Sequence, residues 1–178
     1  MLRLIAFLRA INVGGHNVTM AELRGLFEGL SFKGVETFIA SGNVIFESRS
    51  GDVAALERKI ERKLLQSLGY EVKVFLRTVP EVAAIARYQP FDAQKLKTAA
   101  ALNVAFLADP VEAECAKAVL ALKTEIDEFH VSGREVYWLC RMKQSDSKFS
   151  NTRFEKIIRA RATWRNINTV VRLAAKYS

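Results

Sequence analysis

The loop Arg9-Ala-Ile-Asn-Val-Gly-Gly-His-Asn17 gathers the groups on this chain best suited to hold an anion. Gly14 and Gly15 let backbone N–H groups point outward just ahead of a helix start, where the helix dipole favours negative charge. Their spacing matches neither the dinucleotide fingerprint nor the phosphate loop of nucleotide hydrolases. A plain turn with Asn17 bonding locally accounts for the same residues. His16 is the candidate general acid or base, the role that histidine fills most often. No Ser-His-Asp or Cys-His spacing surrounds it, so an exposed histidine without catalytic duty is the simpler reading. His130, beside Phe129 and Val131, reads as a packed structural residue. With two histidines and no paired-ligand spacing, neither a zinc site nor a cofactor is expected.

A second group lies near the C-terminus. Residues 141–178 carry ten Lys/Arg against two Asp/Glu, which is the entire net charge of +8, while the first 140 residues balance at seventeen of each sign. Lys148-Phe-Ser-Asn-Thr-Arg153 leads into a helix, with Thr152 and Glu155 spaced as a capping box. Arg153, Lys156 and Arg159 recur every three residues, the spacing of one exposed ridge, and Phe154, Ile157 and Ile158 form the buried side. Asn151, Trp164, Arg165 and Asn166 extend the set toward phosphate binding and base stacking. The alternative is a solvated basic face with Trp164 as a core anchor. Asn43–Ser48 lacks the RNA-recognition pattern of paired aromatics, so base-specific readout is not expected.

The first half reads strand, helix, strand, strand, helix, strand. Leu2–Arg9 is apolar on both faces in its middle, as a central strand is. Thr19 and Glu22 form a capping box for a helix with Met20, Leu23, Phe27 and Leu30 on its apolar face. Val35–Ala40 and Asn43–Glu47 flank Ser41-Gly42, a two-residue hairpin signal. Asp52 caps a helix with Leu56, Ile60 and Leu64 on one stripe, and Glu71–Arg77 alternates as the closing strand. This order is the split βαβ, ferredoxin-like unit. In such a unit the first two strands end at one sheet edge, which would bring Asn12, His16 and Asn17 beside Ser41 and Asn43. That cluster has no carboxylate to hold magnesium.

Thr78-Val-Pro-Glu81 opens a connecting helix that Tyr88-Gln-Pro-Phe-Asp92 ends. The pattern then repeats: a strand at Ala101–Leu107, a helix capped at Asp109-Pro110, and a hairpin of Glu125–Val131 and Arg134–Arg141 turning on Ser132-Gly133. Two helices, at about 151–162 and 167–177, stand where a last strand would close the copy. The expected fold is α+β, with duplicated ferredoxin-like units and antiparallel sheets, the second ending in two helices. The expected domains are 1–90, a βαββαβ unit plus connecting helix, and 91–178, a βαββα unit with basic terminal helices.

Half of the 178 residues are hydrophobic, enough to bury a core and too many for a disordered chain. Cys115 and Cys140 sit at core-facing positions and read as reduced thiols. The apolar N-terminus is too short to span a bilayer, and Arg3 and Arg9 interrupt it. A soluble cytoplasmic protein without a membrane partner is the expectation.

Laid out in this way, the chain resembles a bacterial family known as domain of unknown function 1697. The resemblance runs nearly end to end. It is carried by Leu8–Asn17 with Met20, by Ser41–Val44, by Ser147–Thr152 with Glu155 and Lys156, and by Ala162–Asn166 with Thr169 and Val170. The family pattern usually has Gly where Ala10 stands and often Trp where Ile167 stands. The resemblance implies an α+β fold with duplicated ferredoxin-like halves and carries no activity, cofactor or catalytic residue. The residues themselves point first to a non-catalytic binding module for nucleic acid or a phosphorylated small molecule. Its candidate ligand groups are Arg9, Asn12, Gly14, Gly15, His16, Asn17, Ser41 and Asn43, with Lys148, Asn151, Arg153, Lys156, Arg159, Arg165 and Asn166 as anion contacts. The rivals are a small enzyme acting on a phosphorylated metabolite through His16, and an interaction module for an acidic partner.

Overall fold

A run of five buried residues from Leu4 to Leu8 makes β1 (Leu2–Leu8) the centre of the first sheet. The computed structural model describes residues 1–39 and 42–178. After β1 come α1 (Met20–Glu28), β2 (Lys33–Thr37), β3 (Asn43–Ser48), α2 (Val53–Leu68) and β4 (Val74–Thr78). The strands pair antiparallel in the order β2-β3-β1-β4. Leu4, Ala6 and Leu8 meet Leu23 and Phe27 of α1 and Leu56, Ile60 and Leu64 of α2 in one core. Each large side chain buried there contributes on the order of 1.5–3 kcal/mol. The capping box of α1 is present: Glu22 N–H donates to Thr19 Oγ1 at 3.1 Å and Thr19 N–H to Glu22 Oε2 at 2.8 Å. That backbone donor holds the Glu22 carboxyl below its ordinary range. Asp52 caps α2 through the Ala55 N–H, and Gly69 ends it at φ 81.

α3 (Val79–Arg87) starts on a second capping box of Thr78 and Glu81. The short α4 (Ala93–Thr98), capped by Asp92, follows directly after the Tyr88–Asp92 segment that ends the connecting helix. Then come β5 (Ala101–Phe106), α5 (Ala113–Leu120), β6 (Asp127–Ser132), β7 (Glu135–Cys140), α6 (Asn151–Ile158), β8 (Thr163–Asn166) and α7 (Ile167–Tyr177). The second sheet is antiparallel in the order β6-β7-β5-β8. The fold is α+β with two split βαβ units, as the sequence pattern and the resemblance both imply.

The two halves match strand for strand. Leu4-Ile-Ala-Phe-Leu8 corresponds to Asn103-Val-Ala-Phe-Leu107, because Phe7 pairs with Asn43 just as Phe106 pairs with Glu135. The Leu8 N–H donates to Gly42 O and the Leu107 N–H to Arg134 O at the corresponding places. The second unit therefore has its fourth strand. β8 pairs with β5 from Asn103–Asn166 to Phe106–Thr163, where sequence reading placed only the lead-in to the last helix. Four residues are too short for a period-2 signal, and Arg165 at an inward position breaks it.

Other boundaries also shift. β2 ends at Thr37, so the first hairpin connection is residues 38–42 and not two residues, with Ala40 and Ser41 outside the described residues. In the second hairpin Ser132 pairs with Glu135, so the turn residues are Gly133 and Arg134, with Gly133 at φ 58. Glycine at the first central position is what a type II′ turn uses. α5 begins at Ala113 after Glu112, several residues past Asp109-Pro110. The chain divides into two compact units, Met1–Ala84 with Leu173–Ser178, and Ile85–Arg172. A cut at residue 90 differs most at the C-terminus, where the last six residues group with the first unit. Cys115 and Cys140 are buried and free. Among the described residues no helix is long and apolar enough to cross a membrane.

Candidate anion-binding site

Asn12–Asn17 and the 38–42 connection leave the same edge of the first sheet. The Leu8 N–H reaches Gly42 O at 2.9 Å, and a Cβ on Gly42 would meet Ile11 Cγ2 at 2.9 Å. Proximity does not put every named side chain to work on a ligand. Asn12 Oδ1 accepts from the Val18 N–H at 2.8 Å and ties the loop to the start of α1. Asn43 is fully buried and donates through Nδ2 to Phe38 O at 2.9 Å, which braces the hairpin connection. Asn43 is thus spent on the fold, while Asn12 is exposed and commits its Oδ1. Ser41 lies outside the described residues.

Also outward are Gly14, Gly15, His16 and Asn17, all exposed. Gly14 and Gly15 lie at φ 68 and 84, with the His16 N–H closing on Val13 O at 3.4 Å. Positive φ at both central residues is the type I′ turn, so the plain-turn reading describes this backbone. The His16 ring stacks on Tyr70 with centroids 3.7 Å apart and an interplanar angle of 19°. The Tyr70 hydroxyl donates to Ile11 O at 2.8 Å, and burial pushes its pKa up. Tyr70 thus clamps the loop from below; sequence reading missed it because it follows α2, far along the chain. Arg9 sits half-buried where β1 ends, its N–H bonded to Lys73 O. His16 has no side-chain hydrogen bond among the described residues, so nothing there orients it as a base. Also among the described residues, no group of acidic, Cys and His side chains could hold a metal.

The basic segment separates into spent and unspent cations. Arg141 pairs with Glu128 at 2.6 Å, Arg161 with Glu155 at 3.8 Å and Lys176 with Glu36 at 3.6 Å. Arg165 is 7% exposed and not a surface contact. Its Nη1 donates to Thr163 Oγ1 and Trp164 O, and burial pushes its pKa down to about 10. It corresponds to fully buried Arg77 on β4, whose Nη1 donates to the carbonyl one residue back in the same way. Arg77 lies opposite Ile5, and Arg165 opposite Val104. The buried arginine is part of the duplicated scaffold.

Lys143, Lys148, Arg153, Lys156 and Arg159 remain: all are exposed and none has an acidic partner among the described residues. Arg153 and Lys156 stand on successive turns of α6, while Arg159 follows as its left-handed cap at φ 56. The three-residue ridge therefore bends at its end. α6 is capped by Ser150, whose Oγ accepts from the Arg153 N–H, and not by Thr152. Glu155 is buried and accepts from the Ala162 N–H at 2.8 Å, so it closes the turn into β8 instead of a capping box. Asn166 is exposed, but its Oδ1 accepts from the Asn168 N–H at the start of α7.

The model for proteins of unknown function DUF1697 matches residues 1–137. The chain belongs to that family. Among solved structures, a conserved bacterial protein from Streptococcus pneumoniae is similar at a TM-score of 0.75 and 24% identity, covering 98% of this chain and 97% of its own. At that identity the likeness shows the fold. No curated protein matches the chain.

Several strings that carry the DUF1697 resemblance turn out to be scaffolding. Ser147 Oγ donates to the buried Asp127 carboxylate at 2.7 Å and accepts from the Phe149 N–H. Asp127 also holds the Trp138 indole N–H at 2.8 Å. Asn151 Oδ1 accepts from the Trp164 indole N–H at 2.9 Å, and Phe149 packs against both tryptophans. Trp164 is therefore a core anchor, half-buried against Phe149 and Phe154 with its indole N–H committed to Asn151.

Position 10 has a comparable explanation. Ala10 lies at φ 57, where an L side chain costs about 1–2 kcal/mol. Ala10→Gly relieves that strain but loosens the unfolded chain by about 0.4–1 kcal/mol. The expected net result is a gain of up to about 1.6 kcal/mol by urea denaturation, and a loss would overturn the strain argument.

Proposed function

We propose that this protein is a non-catalytic binding module for a phosphate-bearing polymer, with nucleic acid as its partner and phosphates as the recognised groups. The observation that supports it most is the exposed set Lys143, Lys148, Arg153, Lys156 and Arg159, which lacks acidic partners while other cations of the same segment are paired or buried. Unpaired cations release counterions from a polyanion and give affinity without sequence preference. Trp164 is half-buried with its indole N–H on Asn151, so the cations and not an aromatic platform carry this reading. Contacts of this kind suit a duplex backbone, whose charge density is higher. We place the protein in the cytoplasm, where the free thiols Cys115 and Cys140 stay reduced.

The test is fluorescence anisotropy with labelled duplex and single-stranded DNA and RNA across a salt series. If all five cations meet phosphates, log K falls against log salt with a slope of about −4.5 on duplex and about −3.5 on single strands. Binding should be indifferent to sequence. No association at low salt, or a slope near zero, would overturn the proposal.

A further inference from the structure

The first unit holds a cavity of about 380 Å³ that lies outside both groups of residues described above. Its lining includes Lys33 of β2, Ser48 at the end of β3, Arg49 after it and Lys59 of α2, with Phe32 and Leu56 as an apolar floor. Phe32 and Leu56 are 6% and 5% exposed, so the floor is part of the packed core and fixed in shape.

The charges around it are unbalanced. The carboxylate at the wall, Glu47, is held by Arg3 at 3.0 Å. Lys33 and Arg49 have no partner among the described residues. Lys59 donates to Leu30 O at 3.2 Å and lies 5.3 Å from the centre of the Phe32 ring. Both contacts position the ammonium without neutralising it. Ser48 is 5% exposed; its Oγ accepts from the Ser50 N–H at 3.1 Å and has no acceptor for its own proton among the described residues. A buried hydroxyl with an unspent proton and three cations on one cavity lining are a donor set waiting for an acceptor.

We propose that this cavity is a small-molecule site for a phosphate monoester bearing a compact apolar or aromatic group. Three cations and one hydroxyl donor match the terminal oxygens of a dianion better than the two of a carboxylate. The Phe32–Leu56 floor takes the apolar part. The volume stands at the small end of the roughly 300–1,000 Å³ of ligand pockets, so it admits a metabolite and not a nucleic-acid strand. This site shares no residue with the basic surface of the second unit.

Isothermal titration with phenyl phosphate, inorganic phosphate and phenol tests it on the full chain. Phenyl phosphate is expected to saturate a single site. Inorganic phosphate should bind at least about tenfold more weakly and phenol more weakly still, since each lost set of contacts is worth about one decade or more. Arg49→Gln and Lys59→Met are each expected to cost about tenfold or more, because each removes a charged donor. Circular dichroism checks that both variants keep the fold. The triple variant R153E/K156E/R159E should bind phenyl phosphate like the unaltered protein, which separates this site from the polyanion surface. Three results would overturn the proposal: no saturable binding of phenyl phosphate at millimolar concentration, equal affinity for inorganic phosphate, or unchanged binding by folded Arg49→Gln and Lys59→Met.

Discussion

Reversing Arg153, Lys156 and Arg159 to Glu is expected to weaken nucleic-acid binding across all sequences by about a hundredfold or more at low salt and to flatten the salt slope by about two to three units. The size follows from where the three side chains stand. All are exposed, none is paired with an acid among the described residues, and each removed phosphate contact takes about 0.9 from the duplex slope. The helix should survive the change. Phe154 and Ile158 hold its inner face, and Ser150 caps it through its own Oγ. Arg159 is already a non-glycine residue at φ 56, so Glu there meets the same backbone cost. Arg165 is left unaltered because it is buried; substituting it would test folding and not binding. Circular dichroism of both proteins accompanies the anisotropy titration. Equal binding by a folded triple variant would remove this surface, and an acidic protein partner would become the better reading of the same cations.

How much of this is legible in the sequence depends on how each group is used. The capping boxes at Thr19 and Thr78 are local, four residues long, and stand in the structure as the spacing implies. The apolar stripes of α1 and α2 likewise name the core residues that pack on β1. β8 is not legible, because four residues carry no period and its buried arginine looks like a surface charge. Only the pairing with β5, and the matching place of Arg77 in the first unit, reveal what Arg165 does. The same limit applies to function. Asn12, Asn43, Asn151 and Asn166 have the side chains of ligand contacts, but each is bonded to a neighbour in the fold. Tyr70 meets His16 across more than fifty residues of chain, a contact no local spacing encodes. Charge is the property that survives best, because an unpaired exposed lysine remains a cation wherever the fold leaves it.

Gly42→Ala should destabilise the first unit by about 2–4 kcal/mol, the largest expected effect of a single added methyl in this chain. Gly42 lies at φ 79, where any L side chain costs about 1–2 kcal/mol. A Cβ there would also stand 2.9 Å from Ile11 Cγ2 and 3.1 Å from Leu8 Cβ. Neither neighbour is free to retreat. Leu8 is at the end of the central strand and donates its N–H to Gly42 itself, while Ile11 is buried and its carbonyl is held by the Tyr70 hydroxyl. Forcing a methyl into such packing costs about 1–3 kcal/mol more, against which the stiffer unfolded chain returns about 0.4–1 kcal/mol. Gly14→Ala is the matched control. Gly14 has a similar φ of 68, but nothing lies within 4 Å of the added methyl, so only the backbone cost of about 1–2 kcal/mol applies, less the same return from the unfolded chain. Urea denaturation of the two variants, followed by circular dichroism, measures the difference. Equal losses would show that the close approach of the two loops does not contribute to stability. A clearly larger loss for Gly42→Ala would make that contact the feature that fixes the 9–17 loop, with His16 and its glycines, at this sheet edge.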